Sequence, residues 1–186
     1  NVTAGGRPIG PIPTRARSKV DVIDIEALVA QTCGERREGL LDAGAIEQRL
    51  HERGGDRPLR MILLETPANP TNDLIDIRMC ADIAWRRATG DRRPLVAVDN
   101  TFLGPLWQHP LKHGADLVLY SATKYLAGHG TTLGGVLVEG GSFPWNNGKF
   151  PGMTEPSPGY HGVKFHETFG DFAFTMGNVM LTNATG

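Results

Sequence analysis

Short apolar runs separated by helix-length or loop-length spacers constrain this chain's fold more than any other feature. Leu59–Leu64, Leu95–Val98 and Leu117–Tyr120 are each nearly continuous in apolar residues, and Gly135–Val138 forms a fourth run. Runs of that kind fit strands covered on both faces, rather than strands with one wet side. Pro67 and Pro70 end the first run, and Ile77–Ala88 follows with Ile77, Ala81, Ala84 and Ala88 at helical spacing. A loop or short helix over Phe102–His113 separates the second run from the third. Strand, helix, strand, helix, strand within about 60 residues predicts right-handed βαβ units. The expected fold is α/β: a mostly parallel sheet with helices on both faces.

The flanking segments read less clearly. Residues 1–20 carry Gly5, Gly6, Pro8, Gly10, Pro11 and Pro13, a density of breakers that predicts an extended arm. Ile23–Gln31 reads as weakly helical. Leu41–Arg53 reads as a better helix, capped by Asp42, with Ile46 and Leu50 on one face and Gly54-Gly55 stopping it. From Gly140 to Gly162 prolines and glycines surround Trp145, so a long irregular loop is expected, of the kind that serves function or an interface. Phe165–Met180 returns to helical spacing. The division drawn on this pattern is an arm with helices over 1–58 and an α/β domain over 59–186.

Ligands of parallel sheets bind beyond the carboxyl ends of the strands. Three predicted strands here end in polar, loop-forming chemistry: Glu65-Thr66-Pro67-Ala68-Asn69, Asp99-Asn100-Thr101 and Ser121-Ala122-Thr123-Lys124. A parallel sheet brings all three to one edge. A lysine and an aspartate on the ends of neighbouring buried strands can hold a pyridoxal phosphate (PLP) ring: Lys124 as a Schiff base with the aldehyde, Asp99 paired with the ring nitrogen. Plainer readings stand beside this one. Lys124 alone reads as a surface lysine, Asp99 as a helix cap, Asn69 as a turn residue, and Ser121 and Thr123 as backbone caps. A cofactor-free Schiff-base lysine, as in an aldolase, is a rival enzyme class, but it has no pyridinium for Asp99 to meet. A dinucleotide fingerprint is missing, since Leu133 stands where the third glycine of Gly128-His129-Gly130 should fall.

The segment Leu59–Val138 resembles the PLP-dependent enzymes of cysteine and methionine metabolism. The resemblance rests on Glu65-Thr66-Pro67-Ala68-Asn69-Pro70-Thr71, Val98-Asp99-Asn100-Thr101-Phe102, Pro110 with Gly114-Ala115-Asp116, and Ser121-Ala122-Thr123-Lys124-Tyr125, completed by Gly128-His129 and Gly134-Gly135. It implies part of the large PLP-binding domain of an aspartate-aminotransferase-like (fold type I) enzyme. Lys124 is then the Schiff-base lysine and Asp99 the pyridine-nitrogen partner. Ser121 and Thr123 resemble the phosphate-binding hydroxyls, and Asn69 the amide beside the ring hydroxyl. The resemblance also implies, before this region, a glycine-containing helix start that cups the phosphate and a tyrosine stacked on the ring. After it, the resemblance implies a smaller domain with an arginine for the substrate carboxylate. None of these is placed in this sequence.

Gly130-Thr131-Thr132, Trp145, Gly148-Lys149-Phe150-Pro151, Thr154-Glu155-Pro156, Tyr160-His161-Gly162 and Glu167-Thr168-Phe169-Gly170 resemble the O-acetylhomoserine sulfhydrylase branch, from which Ser157 and Gly159 depart. That branch implies γ-replacement: the acetyl group leaves O-acetyl-L-homoserine, and sulfide or a thiol adds to give homocysteine or a thioether. Lys124 is the candidate proton carrier. Cystathionine γ-synthase or γ-lyase chemistry is the alternative, and a catalytically incomplete piece with a structural role is another. The resemblance also implies a cytoplasmic homotetramer.

Composition excludes some partners. The 186 residues carry a formal net charge of −1 and no face-long basic run, which argues against nucleic acid. No apolar stretch approaches the roughly 18 residues of a membrane span. Arg86-Arg87 with Arg92-Arg93 reads as a solvated surface. Cys33 and Cys80 read as packing residues of a reducing compartment. His109 and His113 stand four apart with Pro110 between them and read as surface histidines rather than metal ligands.

Overall fold

All four apolar runs become strands, but only the first three are packed on both faces. The fourth, expected to be covered like them, leaves Val136, Leu137 and Val138 exposed. A computed structural model of the chain describes residues 3–4, 7–8, 22–24, 43–54, 59–69 and 72–185. A two-residue antiparallel pair, β1 (Thr3–Ala4) and β2 (Arg7–Pro8), comes first. Five strands then form one sheet in sequential order: β3 (Val22–Asp24), β4 (Met61–Glu65), β5 (Leu95–Asp99), β6 (Leu117–Ser121) and β7 (Gly135–Glu139). β3 to β6 run parallel, and β7 pairs antiparallel with β6.

Alternate residues of β4 and β5 divide between two apolar layers, as the strand period of two requires. Ile62, Leu64, Val96 and Val98 face α1 (Ala43–Gly54) and α2 (Ile77–Arg86), meeting Ile46, Leu50, Ile77, Cys80, Ile83 and Ala84. On the other face Met61, Leu63, Leu95, Ala97, Leu117 and Leu119 meet Phe143, Trp145, Phe150, Met153 and Phe174. Each fully buried Leu or Ile contributes about 1.5–3 kcal/mol. β3 therefore joins the same sheet as β4 to β7, and α1 the same core as α2, β4 and β5.

Local choices explain the helix boundaries. Asp76 caps α2, its Oδ1 accepting from Met79 N at 3.1 Å. A 3₁₀ turn over Pro110–His113 closes on Gly114 (φ +95°), where a Cβ would sit 2.7 Å from the Cβ of Ala81. Only glycine permits both that backbone and that approach to α2.

Several expectations change. Ile23 and Asp24 belong to a strand, not a weak helix, because β4 offers Val22–Asp24 a full parallel register and tertiary pairing overrides weak local propensity. Residues 25–31 and Asp42 lie outside the described residues, as do most of residues 1–20 and Cys33. The predicted helix over 165–180 is two: α5 (Phe165–Phe169) and α6 (Ala173–Thr185), separated by Gly170 at φ +55° and ψ −125°. The stretch 140–162 holds a short helix, α4 (Pro151–Thr154), and a 3₁₀ turn at Pro158–Tyr160. Its first half covers the sheet, with Phe143, Trp145, Asn147 and Lys149 buried.

The basic cluster is not one solvated surface. Arg93 is buried and forms a bidentate pair with Asp116, its guanidinium lying between the rings of Trp85 (5.0 Å) and Phe143 (4.8 Å). Asp116 Oδ2 also accepts from Val96 N at 2.8 Å, so the pair ties the starts of β5 and β6 together. Arg86 is outward, paired with Glu47 at 2.7 Å. His109 and His113 are exposed. No helix among the described residues is long and apolar enough to cross a membrane.

Candidate active site

Register brings the predicted loops together. Glu65 at the end of β4 is the partner of Asp99 at the end of β5, and Asp99 is the partner of Leu119 in β6. The polypeptide leaves all three strands on the same edge. Behind that edge a buried amide network fixes their spacing. Asn100 is fully buried, and its Nδ2 lies 3.0 Å from the carbonyls of Gly104 and Gln108 and 3.3 Å from the Tyr120 hydroxyl. Gln108 Nε2 donates to Thr66 O at 3.0 Å and to Asn100 Oδ1 at 2.9 Å. The network thus crosses β4, β5 and β6 and includes the short helix α3 (Gly104–Trp107).

In front of the network lies a cavity of about 470 Å³ lined by Glu65, Asn69, Asp99, Thr101, Phe102, Ser121, Thr123, Lys124, Tyr125, Gly128 and Gly130. All five residues singled out from sequence, Asn69, Asp99, Ser121, Thr123 and Lys124, line it. Lys124 sits in a π-type turn over Ala122–Leu126, whose backbone leaves helical geometry at the lysine itself (φ −86°, ψ −118°). Ala127 N donates to Ala122 O at 2.9 Å and closes the wide turn. Gly128 then reverses the chain at φ +80°, a conformation rather than a lack of space being what requires glycine.

The side chains are not equally free. Asp99 Oδ1 accepts from both Thr101 N (3.0 Å) and Thr101 Oγ1 (2.6 Å), while Oδ2 accepts nothing from the described residues. The Thr123 hydroxyl donates to Gly134 O at 3.4 Å and accepts from Gly134 N at 3.1 Å, so the plain backbone-cap reading of Thr123 is realised alongside its place in the cavity wall. Asn69 N donates to Glu65 Oε2 at 3.2 Å, leaving the amide side chain at the surface. Lys124 is exposed, as are Phe102 and Tyr125, whose rings stand 6.4 Å apart at the mouth.

Sequence reasoning left Glu65, Thr101, Phe102, Tyr125, Gly128 and Gly130 out of the site. For Thr101 a signal existed: a hydroxyl two residues after a strand-ending aspartate is the spacing of a side-chain-closed turn.

Comparison with known proteins gives this edge a lineage. The profile of the Cys/Met metabolism PLP-dependent enzymes matches residues 41–157, and the chain belongs to that family. The O-acetyl-L-homoserine sulfhydrylase of Leptospira meyeri is 50% identical over 113 residues, 61% of this chain and 24% of that one. The homocysteine synthase of Schizosaccharomyces pombe is 45% identical over 122 residues, 64% of this chain and 27% of its own length. The crystal structure of a Campylobacter jejuni protein assigned as an O-acetylhomoserine (thiol)-lyase, carrying N'-pyridoxyl-lysine-5'-monophosphate, superposes with a TM-score of 0.60 at 28% identity. That match covers 76% of this chain and 34% of the other. The α/β fold, with its mostly parallel sheet, is therefore that of fold-type-I PLP enzymes, in part. The chain spans about a quarter of the length of the curated relatives it matches.

Proposed function

We propose that this chain is part of the cofactor-binding domain of a PLP-dependent enzyme that replaces the acetyl group of O-acetyl-L-homoserine with sulfide or a thiol. One observation carries the reading: three neighbouring strand ends deliver Asn69, Asp99, Ser121, Thr123 and Lys124 to a single cavity.

The donor set fits the cofactor. A primary amine at Lys124 suits its aldehyde, a carboxylate at Asp99 its ring nitrogen, hydroxyls at Ser121 and Thr123 its phosphate, and an amide at Asn69 its ring hydroxyl. Bound PLP supplies an electron sink for a substrate carbanion. The chain's own residues do the rest. Asp99 holds a negative charge where a protonated ring nitrogen gains most from it. The Lys124 amine, once released by the incoming amino acid, takes a proton from one substrate carbon and returns it to another. γ-Replacement needs such a carrier, because the leaving group and the first acidic hydrogen sit on different carbons.

The names of the most similar relatives support O-acetyl-L-homoserine as substrate and homocysteine as product. Leu106 and Trp107 are each 81% exposed on α3, an apolar pair that supports a homo-oligomeric assembly. The buried, free thiol of Cys80 fits a cytoplasmic setting. A second reading, a catalytically incomplete piece that holds the cofactor without turnover, is favoured by the exposure of Lys124.

Adding PLP to the full chain, then O-acetyl-L-homoserine and sulfide, separates these readings. The proposal expects a new visible absorption band, its loss in Lys124→Ala, and homocysteine formation. A band without product favours the incomplete piece. No band overturns both.

A further inference from the structure

We propose that the Thr101 hydroxyl is a positioning group that couples the Asp99 carboxylate to the backbone of the Lys124 loop, joining two walls of the cavity into one unit. The inference rests on the reading of this cavity as a PLP site and adds a residue to it.

Sheet register alone does not hold these walls together. β5 and β6 are paired up to Asp99 and Leu119; beyond that point β5 enters its loop, while β6 continues to Ser121 paired with β7. Thr101 lies in the loop after β5, and Ser121 is the last residue of β6. The Thr101 Oγ1 donates to Asp99 Oδ1 at 2.6 Å and accepts from Ser121 N at 2.8 Å. A carboxylate only accepts and a backbone N–H only donates, so the hydroxyl's single hydrogen must go to Asp99 and its lone pair must face Ser121. The chain of bonds has one direction: Ser121 N–H to Thr101 Oγ, Thr101 O–H to Asp99 Oδ1.

Two consequences follow. Asp99 Oδ1 is held from two sides by one residue, since Thr101 N also donates to it at 3.0 Å. The carboxylate is thereby oriented with Oδ2 as the oxygen left for a ligand. Ser121 immediately precedes the turn that carries Thr123 and Lys124, so its amide fixes where that turn departs from β6. Bonds in series polarise one another, which makes the link stronger than either bond alone. A displacement of the lysine turn is then felt at the carboxylate, and the reverse. Thr101 acts through both neighbours and is a positioning residue.

The plain alternative is a local turn: Thr101 N to Asp99 Oδ1 suffices for that, and it survives loss of the hydroxyl. Thr101→Val and Thr101→Ser separate the two. In the full chain without cofactor, amide hydrogen exchange is read at Ser121 and, as an internal control, at Asn100, whose N–H donates to Leu119 O at 2.9 Å. Thr101→Val is expected to speed exchange at Ser121 about tenfold, the usual scale for one lost hydrogen bond, while Asn100 is unchanged. Thr101→Ser restores the wild-type rate. If Thr101→Val does not fold, Thr101→Ala, which also lacks the hydroxyl, takes its place in the same comparison.

PLP affinity gives a second reading that a merely structural role would not move. The losses from Asp99→Asn and Thr101→Val are non-additive, because both act on the bond from Thr101 Oγ1 to Asp99 Oδ1, and Thr101→Ser restores wild-type affinity. An unchanged Ser121 rate in Thr101→Val, or a Thr101→Ser variant that behaves like it, overturns the proposal. A chain that fails to bind PLP at all sinks the functional reading, and the exchange experiment still decides on Thr101.

Discussion

The two ends of the parallel strands treat polar groups in opposite ways. At the amino ends, charge is sealed in. Arg93 and Asp116 neutralise each other within a wall of aromatic rings, Asn147 Nδ2 donates to Arg93 O at 3.3 Å, and the Lys149 ammonium donates to Leu59 O. At the carboxyl ends, Asp99, Ser121 and Lys124 face a cavity with a carboxylate oxygen, a hydroxyl and an amine left open to a ligand. Satisfied polar groups at one end lock the strand order, and that rigidity lets the other end carry unsatisfied ones.

Substitutions at the two ends should therefore separate stability from ligand chemistry. The largest effect on stability is expected from Asp116→Ala. It strands a buried guanidinium and should cost about 3–5 kcal/mol, read by denaturant unfolding. Asn100→Ala comes next. It removes a buried amide that links all three strand ends and should cost about 1–3 kcal/mol, with weaker PLP retention as well. A loss confined to PLP binding, with stability intact, would break the claim that this network supports the edge structurally.

Burial, with a smaller contribution from Asp76, pushes the Cys80 thiol from its ordinary 9.0 up to about 12. The folded state thus favours the protonated thiol, and stability from this group is present below pH 9 and lost as pH rises towards 12. The slope is at most about 1.4 kcal/mol per pH unit. Lys149 works in the opposite direction: burial, then Arg60 and Arg92, lower it from 10.5, so its contribution rises with pH up to that value. Subtracting the pH–stability curve of Cys80→Ala from that of the wild type isolates the Cys80 slope. A flat difference would contradict it.

The smallest effect on stability is expected at the open end. Asp99→Asn should change unfolding free energy by no more than about 0.5 kcal/mol, while cutting turnover in an active assembly more than tenfold. A turnover within tenfold of wild type would remove Asp99 from its assigned role.

Much of the sheet was legible because buried parallel strands announce themselves as apolar runs, and their polar ends fall in line once the sheet is parallel. Lys124, Asp99, Ser121, Thr123 and Asn69 were found by that logic and by family resemblance together. β3 was not legible, since three residues become a strand only when a neighbour supplies the register. Arg93 was misread because its partner lies 23 residues away and its cover comes from Phe143, farther still. The stretch after Gly140 did contain a signal, inward residues at every second position from Phe143 to Lys149, but prolines and glycines obscured it. Thr101 stood in plain view in the motif, yet its two-sided hydrogen bonding exists only when β5 and β6 lie side by side.

The central claim is that the carboxyl edge of this sheet holds PLP through one amine. The sequence contains five lysines, Lys19, Lys112, Lys124, Lys149 and Lys164. Reducing the PLP-treated full chain with borohydride and mapping the modified peptide by mass spectrometry asks which one reacts. Label concentrated on Lys124, and abolished by Lys124→Ala without reappearing elsewhere, is the predicted result. Label spread over the exposed lysines, with Lys124 no more reactive than Lys112 or Lys164, would contradict it.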